Sequence, residues 1–440
     1  MPLNEKFIQC ISEEYSKRFP ETKFTPGQSL VPVSGKVFDE KELLLMTEAV
    51  LEGWWTEGKY SEQLESKIAS YVGVKHCTLV NSGSSANLLA LTALTSAKLS
   101  ENKRLKQGDE VITVAAGFPT TVNPIIQNGL VPVFVDVGLG FYNPSLESIK
   151  KAYSDKTKAI FIAHTLGNPY EVDEINKFCQ EKGLWLIEDN CDALGSEYKN
   201  KKTGSFGHIS TLSFYPAHHI TTAEGGAVLT NDPLLNKIVR SLRDWGRDCW
   251  CPTGKDDTCK KRFGWKLGDL PRGYDHKYIY SELGYNLKMT DIQAALGLAQ
   301  TEKLDNFVSK RKENFKFLME RFKKFEKYFI LPQKLPEADP SWFGFLLTIK
   351  ENSGIDRTEL LKYLNEKKIG TRLLFAGNII KQPYFVDNRY GYRVAEELKN
   401  TDYVMNSSFW IGLGPMITKE MIDYVAECFE KFIKLNARVV

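Results

Sequence analysis

The chain has 440 residues, 42% hydrophobic and 26% charged, which supplies enough apolar material for one large and one smaller domain. Its formal charge of +3 arises from Lys and Arg scattered along the chain, which leaves no basic stripe for nucleic acid. No stretch of about eighteen apolar residues is present to cross a membrane, and Met1-Pro2-Leu3-Asn4-Glu5-Lys6 lacks a charged-then-apolar leader pattern, so a cytoplasmic protein is expected.

Residues 3–20 carry Phe7, Ile8, Ile11 and Tyr15 at helical spacing and predict an amphipathic helix. Phe24–Val33, with Pro26 and Pro32, predicts an extended arm, so that residues 1–35 form an N-terminal helix and arm. Helices are expected at Glu40–Leu51, Ser61–Tyr71, Ser85–Leu94 and Val172–Glu181. Trp54 and Trp55 lie in the loop between the first two of these and read equally as packing or substrate-facing residues. Strands are expected at Cys77–Val80, Val111–Val114, Val131–Val137, Ala159–Ala163, Leu184–Ile187 and Thr211–Phe214. The alternation predicts a large α/β domain over 36–300, built on a mostly parallel sheet covered on both faces. Within it, residues 243–280 read as an irregular insertion rich in Cys, Trp and Gly. One long helix from Thr290 to about Phe325 is expected to lead into a smaller C-terminal α/β domain, with 301–440 as its range. There Trp342, Phe343, Arg372, Asn378 and Trp410 are candidate substrate-facing residues.

Ligands of such sheets sit beyond the carboxyl ends of the strands. After the first strand, Asn81-Ser82-Gly83-Ser84-Ser85-Ala86 places small residues at a helix N-terminus, where backbone N–H groups and the helix dipole suit a phosphate. Glu188-Asp189 follows the fifth strand. The segment Ser213 to Val228 reads as strand, sharp turn, strand, with Pro216 in the turn and Gly225-Gly226 at its close. His218 in that turn can move a proton near neutral pH, since an unperturbed imidazole titrates at about 6.5.

Eight cysteines in a reducing compartment are not expected to pair. Cys10, Cys77, Cys179 and Cys428 read as small core residues. Cys191, Cys249, Cys251 and Cys259 are separated by fifty-seven, one and seven residues. Four thiolates suit an iron–sulfur cluster or a tetrahedral zinc, and the spacing alone favours zinc, because neither common ferredoxin pattern fits.

Taken together these segments resemble the fold-type-I, pyridoxal phosphate (PLP)-dependent sugar aminotransferases and dehydratases. That family's lysine segment runs Ser-Phe, three residues, Lys, Ile or Leu with Thr, then Glu-Gly-Gly, and His218 stands where the lysine belongs. The resemblance implies an aspartate aminotransferase-like fold. It also implies that Gly83 and Ser84 cup the cofactor phosphate, that Phe118 of Gly117-Phe118-Pro119-Thr120-Thr121 stacks on the pyridine ring, and that Asp189 pairs with the pyridinium nitrogen. Asp192, Ser213 and Tyr215 would line the same site, Asp192 and Tyr215 where the aminotransferases carry other residues. Asn286, in Gly284-Tyr285-Asn286, would reach the phosphate of a partner subunit, which implies a homodimer; Lys288 follows where the family carries Arg.

An imidazole forms no stable imine, so the resemblance implies pyridoxamine phosphate (PMP) held without a covalent bond and His218 acting as a base. The cysteine spacing is similar to that of the [2Fe-2S] 3-dehydrases of deoxysugar synthesis, which implies a cluster on Cys191, Cys249, Cys251 and Cys259. The chemistry then expected is loss of the 3-hydroxyl from CDP-4-dehydro-6-deoxyglucose, as in 3,6-dideoxyhexose biosynthesis for lipopolysaccharide O-antigen. PMP condenses with the 4-keto group, His218 takes a proton from the cofactor methylene, and two electrons follow singly through the cluster. An NADH-dependent flavin and iron–sulfur reductase would deliver them beside the 249–259 loop, where Lys255, Lys260, Lys261 and Arg262 could guide it. The alternatives are a dTDP- or GDP-4-keto-6-deoxyhexose 3-dehydrase and a non-catalytic, zinc-stabilised scaffold.

Overall fold

The apolar runs that alternate with helical stretches assemble into one eight-stranded sheet. Its strands are β1 (His76–Val80), β2 (Glu110–Val114), β3 (Val131–Val135), β4 (Thr157–Ala163), β5 (Trp185–Asp189), β6 (Ile209–Ser213), β7 (Gly226–Thr230) and β8 (Arg393–Val394). Their order across the sheet is β1-β7-β6-β5-β4-β2-β3-β8. Every pairing is parallel except those of β7, which runs antiparallel to both β1 and β6. The computed structural model describes residues 3–436; Met1 and Pro2 of the leader reading and residues 437–440 of the C-terminal range lie outside them.

All residues of β2 and β5 are buried, as expected of strands covered on both faces. Helix Gly83–Ala93 packs against β6 and β7, and its apolar side contributes Ala86, Leu89 and Ala90 to a core with Val111, Phe161 and Ile187. A second, four-stranded antiparallel sheet is ordered Phe329–Ile330, Phe345–Ile349, Ser408–Ile411, Thr371–Arg372. It packs with helices Arg357–Glu366 and Lys419–Asn436 around Phe345, Phe409 and Phe429. The extended arm reaches this region: the Val31 N–H donates to the Lys368 carbonyl at 2.8 Å, and the Val31 carbonyl accepts from the Gly370 N–H at 2.9 Å.

The single long helix expected from Thr290 is two helices, Asp291–Thr301 and Leu304–Phe322, followed by a short 3-10 turn. The break falls where Lys303 turns aside to pair with Asp39 and Glu42. Leu304–Phe322 bridges the molecule. Its first turns (Leu304, Phe307, Val308) pack with Leu79, Leu212 and Phe214 of the large sheet, and its last (Leu318, Phe322) with Phe345 and Phe409 of the small one. A fully buried side chain of this size contributes about 1.5–3 kcal/mol. The C-terminal segment also returns to the large sheet as β8, a pairing two residues long that strand periodicity does not reveal. Cys10 is exposed, whereas Cys77, Cys179 and Cys428 are buried as expected. Among the described residues no helix is long and apolar enough to cross a membrane.

Candidate active site

The site forms at the carboxyl ends of β1, β2, β5 and β6. Consecutive strand residues point to opposite faces, and at the end of β5 this separates two buried acids. Glu188 turns to one face, where it accepts the N–H groups of Gly204, Phe206 and Gly207 at 2.6–2.8 Å and pairs with His164 at 3.1 Å. Burial works against its charge, but His164 and these N–H donors outweigh it and hold the carboxyl below its ordinary range. Asp189 turns to the other face. Its Oδ2 accepts from Asn87 Nδ2 at 2.8 Å and Thr121 Oγ1 at 2.7 Å, and its Oδ1 from Cys191 N–H at 3.2 Å. Asn87 is held in turn by Thr211 of β6, whose hydroxyl donates to Asn87 Oδ1 at 2.6 Å. The Asp189 carboxylate is thus fixed in position by neutral donors only.

Ser82 caps helix Gly83–Ala93 by accepting Ser85 N–H at 3.0 Å. The first N–H groups of a helix have no partner within it, and here they belong to buried Gly83 and exposed Ser84. A Cβ on Gly83 would meet Ser213 Cβ at 2.4 Å, and one on Gly226 would meet Ser82 O at 2.5 Å. These contacts require glycine at both positions and draw the ends of β1, β6 and β7 close together. Phe118 stands at the N-cap of the helix Pro119–Gln127 and is 49% exposed, its ring centroid 5.9 Å from that of Phe375 in an edge-to-face arrangement. Tyr215 is 51% exposed at the start of the turn.

His218 follows three residues later, its backbone N–H donating to the Tyr215 carbonyl at 2.9 Å. The imidazole lies between Phe343, at 5.2 Å between ring centroids, and Asp192, with Nδ1 3.4 Å from Oδ1. Burial pushes His218 down to about 4, opposed by Asp189. Burial and the Asp189 charge push Asp192 up to about 8. Both shifts favour the neutral form of the group, which leaves a lone pair on the imidazole that can accept a proton.

Asn286 is exposed and accepts Lys288 Nζ at 3.2 Å; it makes no hydrogen bond to the other residues named here. Of the candidate substrate-facing residues, Phe343 reaches the site and Arg372 is exposed. Trp342 is instead stacked on Phe315 at 3.9 Å, Trp410 is buried in the small sheet, and Asn378 is buried on Asp402. Apolar side chains this large, in a short sheet with few helices, are consumed by its core. Trp54 and Trp55 are about half exposed.

The cysteines divide. Cys249, Cys251 and Cys259 gather in the 243–280 loop, with Asp256, Asp257, Arg262 and His276 around them. Thr258 Oγ1 donates to Cys251 Sγ at 3.0 Å. Cys191 belongs to the other region: its thiol is pushed well up by burial and by Asp189 and Asp192. Among the described residues no group of three or more His, Cys, Asp or Glu side chains is arranged to hold a metal ion. Of the basic residues on the loop, Arg262 is already paired with Asp256 and Asp275.

Sequence reasoning missed Asn87, Thr121, Thr211 and Arg311 as site residues. The first three are buried polar side chains on otherwise apolar elements, which is the one signal that could have found them.

A pyridine cofactor with a phosphate fits this arrangement: a helix N-terminus for the phosphate, an exposed Phe118 face for the ring and a carboxylate for the ring nitrogen. Comparison with known proteins agrees. The chain is 56% identical over 434 residues to the lipopolysaccharide biosynthesis protein RfbH of Salmonella typhimurium, covering 99% of each. It is 51% identical to the dTDP-4-dehydro-2,6-dideoxy-D-glucose 3-dehydratase of Saccharopolyspora spinosa, over 96% of this chain and 90% of the other. The structure of E. coli GDP-4-keto-6-deoxy-D-mannose-3-dehydratase with bound hydrated PLP superposes with a TM-score of 0.82 at 33% identity, covering 90% of this chain and 98% of that one. The expected PLP-dependent aminotransferase fold, with its large and mostly parallel sheet, is thereby shown. Residues 37–430 match the DegT/DnrJ/EryC1/StrS aminotransferase family, and the chain belongs to it.

Proposed function

We propose that this protein is a PMP-dependent 3-dehydratase acting on a nucleotide-linked 4-keto-6-deoxyhexose. The observation that carries the reading is His218, a largely buried imidazole whose proton affinity burial lowers, in the turn where an aminotransferase of this family needs a lysine. PMP, when bound, supplies an amine for the 4-keto carbon and a ring that takes up an electron pair. Asp189 holds the ring nitrogen protonated, and Asn87 and Thr121 keep its carboxylate aimed. Gly83 and Ser84 hold the phosphate through backbone N–H groups. Phe118 covers one ring face. His218 accepts the proton from the cofactor methylene and returns one as the 3-hydroxyl departs as water; Asp192 and Phe343 keep its ring in place.

The relatives support the sugar class: two are named 3-dehydratases of 4-keto or 4-dehydro deoxyhexoses, with dTDP in one and GDP in the other. CDP is the nucleotide assigned here, with dTDP and GDP as the competing arms of the assay. Asn286, exposed and without a hydrogen bond to the other cofactor residues, is assigned to a partner subunit's site in a homodimer. The [2Fe-2S] cluster and its reductase receive no step, since among the described residues no group of three or more His, Cys, Asp or Glu side chains is arranged to hold a metal ion.

Side-by-side assays with CDP-, dTDP- and GDP-4-keto-6-deoxyhexoses test the reading, followed by mass loss of water and by solvent deuterium entering the PMP methylene. CDP substrate and PMP exchange are expected. Transamination, or a borohydride-fixed pyridoxyl adduct on the chain, would overturn the reading.

A further inference from the structure

Arg311 is a buried cation with no role in the chemistry above. It lies midway along helix Leu304–Phe322, between the turns that pack on the large sheet and those that pack on the small one, and is 2% exposed. Its guanidinium has no ion-pair partner among the described residues. Nη1 donates to the carbonyls of Trp342 at 3.1 Å and Phe343 at 3.4 Å, and Nη2 to the carbonyl of His218 at 3.4 Å. Leaving an arginine buried without a carboxylate costs several kcal/mol, and a purely structural prop could have been neutral.

What the three carbonyls share is the imidazole. His218 supplies one of them, and Phe343, which supplies another, packs its ring against His218 at 5.2 Å between centroids. The 341–343 segment is tied elsewhere as well: Ser341 N–H donates to Ser196 Oγ at 2.8 Å, Phe343 N–H to the Leu166 carbonyl at 2.8 Å, and Ser341 O bonds His219 Nε2 at 2.9 Å. A Cβ on Gly167 would meet Ser341 O at 2.3 Å and Asp192 O at 2.9 Å, so this segment, Gly167 and the Asp192 backbone are wedged together. The 213–226 turn is thus tied to this segment through the His219 side chain, and Arg311 adds a tie through the backbone carbonyl of His218 itself.

We propose that Arg311 is a positioning residue for His218: from the bridging helix it clamps the turn to the 341–343 segment and so fixes the imidazole between Phe343 and Asp192. A planar fork suits this task because its nitrogens reach carbonyls of different segments at once, which a single ammonium cannot do. The charge is in place for a second reason. Asp189, Asp192 and His219 all face His218, and the guanidinium is the one cation among them; it favours the ionised form of Asp192 and disfavours protonation of the imidazole. Arg311 touches neither cofactor nor substrate in this scheme and acts through His218 alone.

The inference rests on His218 being the base, and the test separates the two. PMP-loaded wild type, Arg311→Lys and Arg311→Met are compared by deuterium exchange at the PMP methylene. Long-range 1H–15N spectra of histidine-labelled protein, with six histidines in the chain and His218 assigned from His218→Asn, report its tautomer. A displacement on the order of 1 Å costs about a hundredfold in rate; we expect such a loss in Arg311→Met and roughly a tenfold loss in Arg311→Lys. In both variants the single-tautomer pattern of His218 should give way to a mixture, with PMP affinity little changed. Wild-type exchange with an unaltered His218 spectrum in either variant would overturn the proposal, as would a rate loss matched by weaker PMP binding with the tautomer pattern intact. If Arg311→Met fails to fold, Arg311→Lys decides. Absence of exchange in the wild type would overturn the assignment of His218 as base, and the spectra would then judge the clamp by themselves.

Discussion

The cofactor pocket and the 243–280 loop use the same kinds of side chain in opposite ways. In the pocket, Asp189, Asn87, Thr121 and Thr211 form a buried chain of hydrogen bonds anchored on strands and helices. In the loop, Asp248, Asp256, Asp275, Arg262 and His276 pair with one another on irregular backbone whose only regular piece is a 3-10 turn at His276–Tyr278. The cysteines show the consequence. Cys191, at the end of β5, is kept a neutral thiol by burial and by the neighbouring Asp189 and Asp192, whereas the loop thiols lie near each other and near donors. Rigid elements hold a proton-transfer site in register, and a loop can gather soft ligands without placing them accurately.

The largest break in this contrast is expected at His218. His218→Asn should lower methylene exchange by about 10²–10⁴-fold while PMP still binds, as measured by deuterium uptake and PMP fluorescence. A wild-type rate would remove the pocket's claim to the chemistry. The thiols give the next effect. For Cys251, partial burial is outweighed by the Thr258 donors and the neighbouring Cys249, which leave it below its ordinary range. In chelator-treated protein near neutral pH it should be alkylated about tenfold or more faster than Cys191, as read by peptide mass mapping. Equal rates would erase the difference between the regions.

Asn87→Ala leaves Asp189 Oδ2 and the Thr211 hydroxyl each short of a partner and should cost about 1–3 kcal/mol in urea unfolding. Glu188 gives a pH signature. Its folded value is depressed, so its contribution is present above the ordinary carboxylate range and is lost as the pH falls. The difference in Tm between wild type and Glu188→Gln should therefore be widest near pH 7 and close towards pH 4. The smallest effect belongs to the loop: Arg262→Met, which cuts the pairs with Asp256 and Asp275, should leave Tm unchanged and speed amide exchange across residues 256–277 only.

Much of this molecule was legible before any coordinates. The strand runs and the Gly-Gly turn are local patterns, set by side-chain periodicity and backbone freedom within a few residues. They placed seven of the eight strands of the main sheet. His218, Asp189, Gly83 and Phe118 could be singled out because each stands at a strand end or helix start marked by its neighbours. Tertiary structure decided what depends on segments far apart in the chain. The return of Arg393–Val394 to β3 is too short to carry a period. The bend at Lys303 depends on Asp39 and Glu42, more than 250 residues earlier. Arg311 looks like any charged residue on an amphipathic helix until the 341–343 segment and the His218 turn close over it. Four evenly notable cysteines suggested one site; the fold gathers Cys249, Cys251 and Cys259 in the loop, and Cys191 stands beside Asp189 at the end of a buried strand.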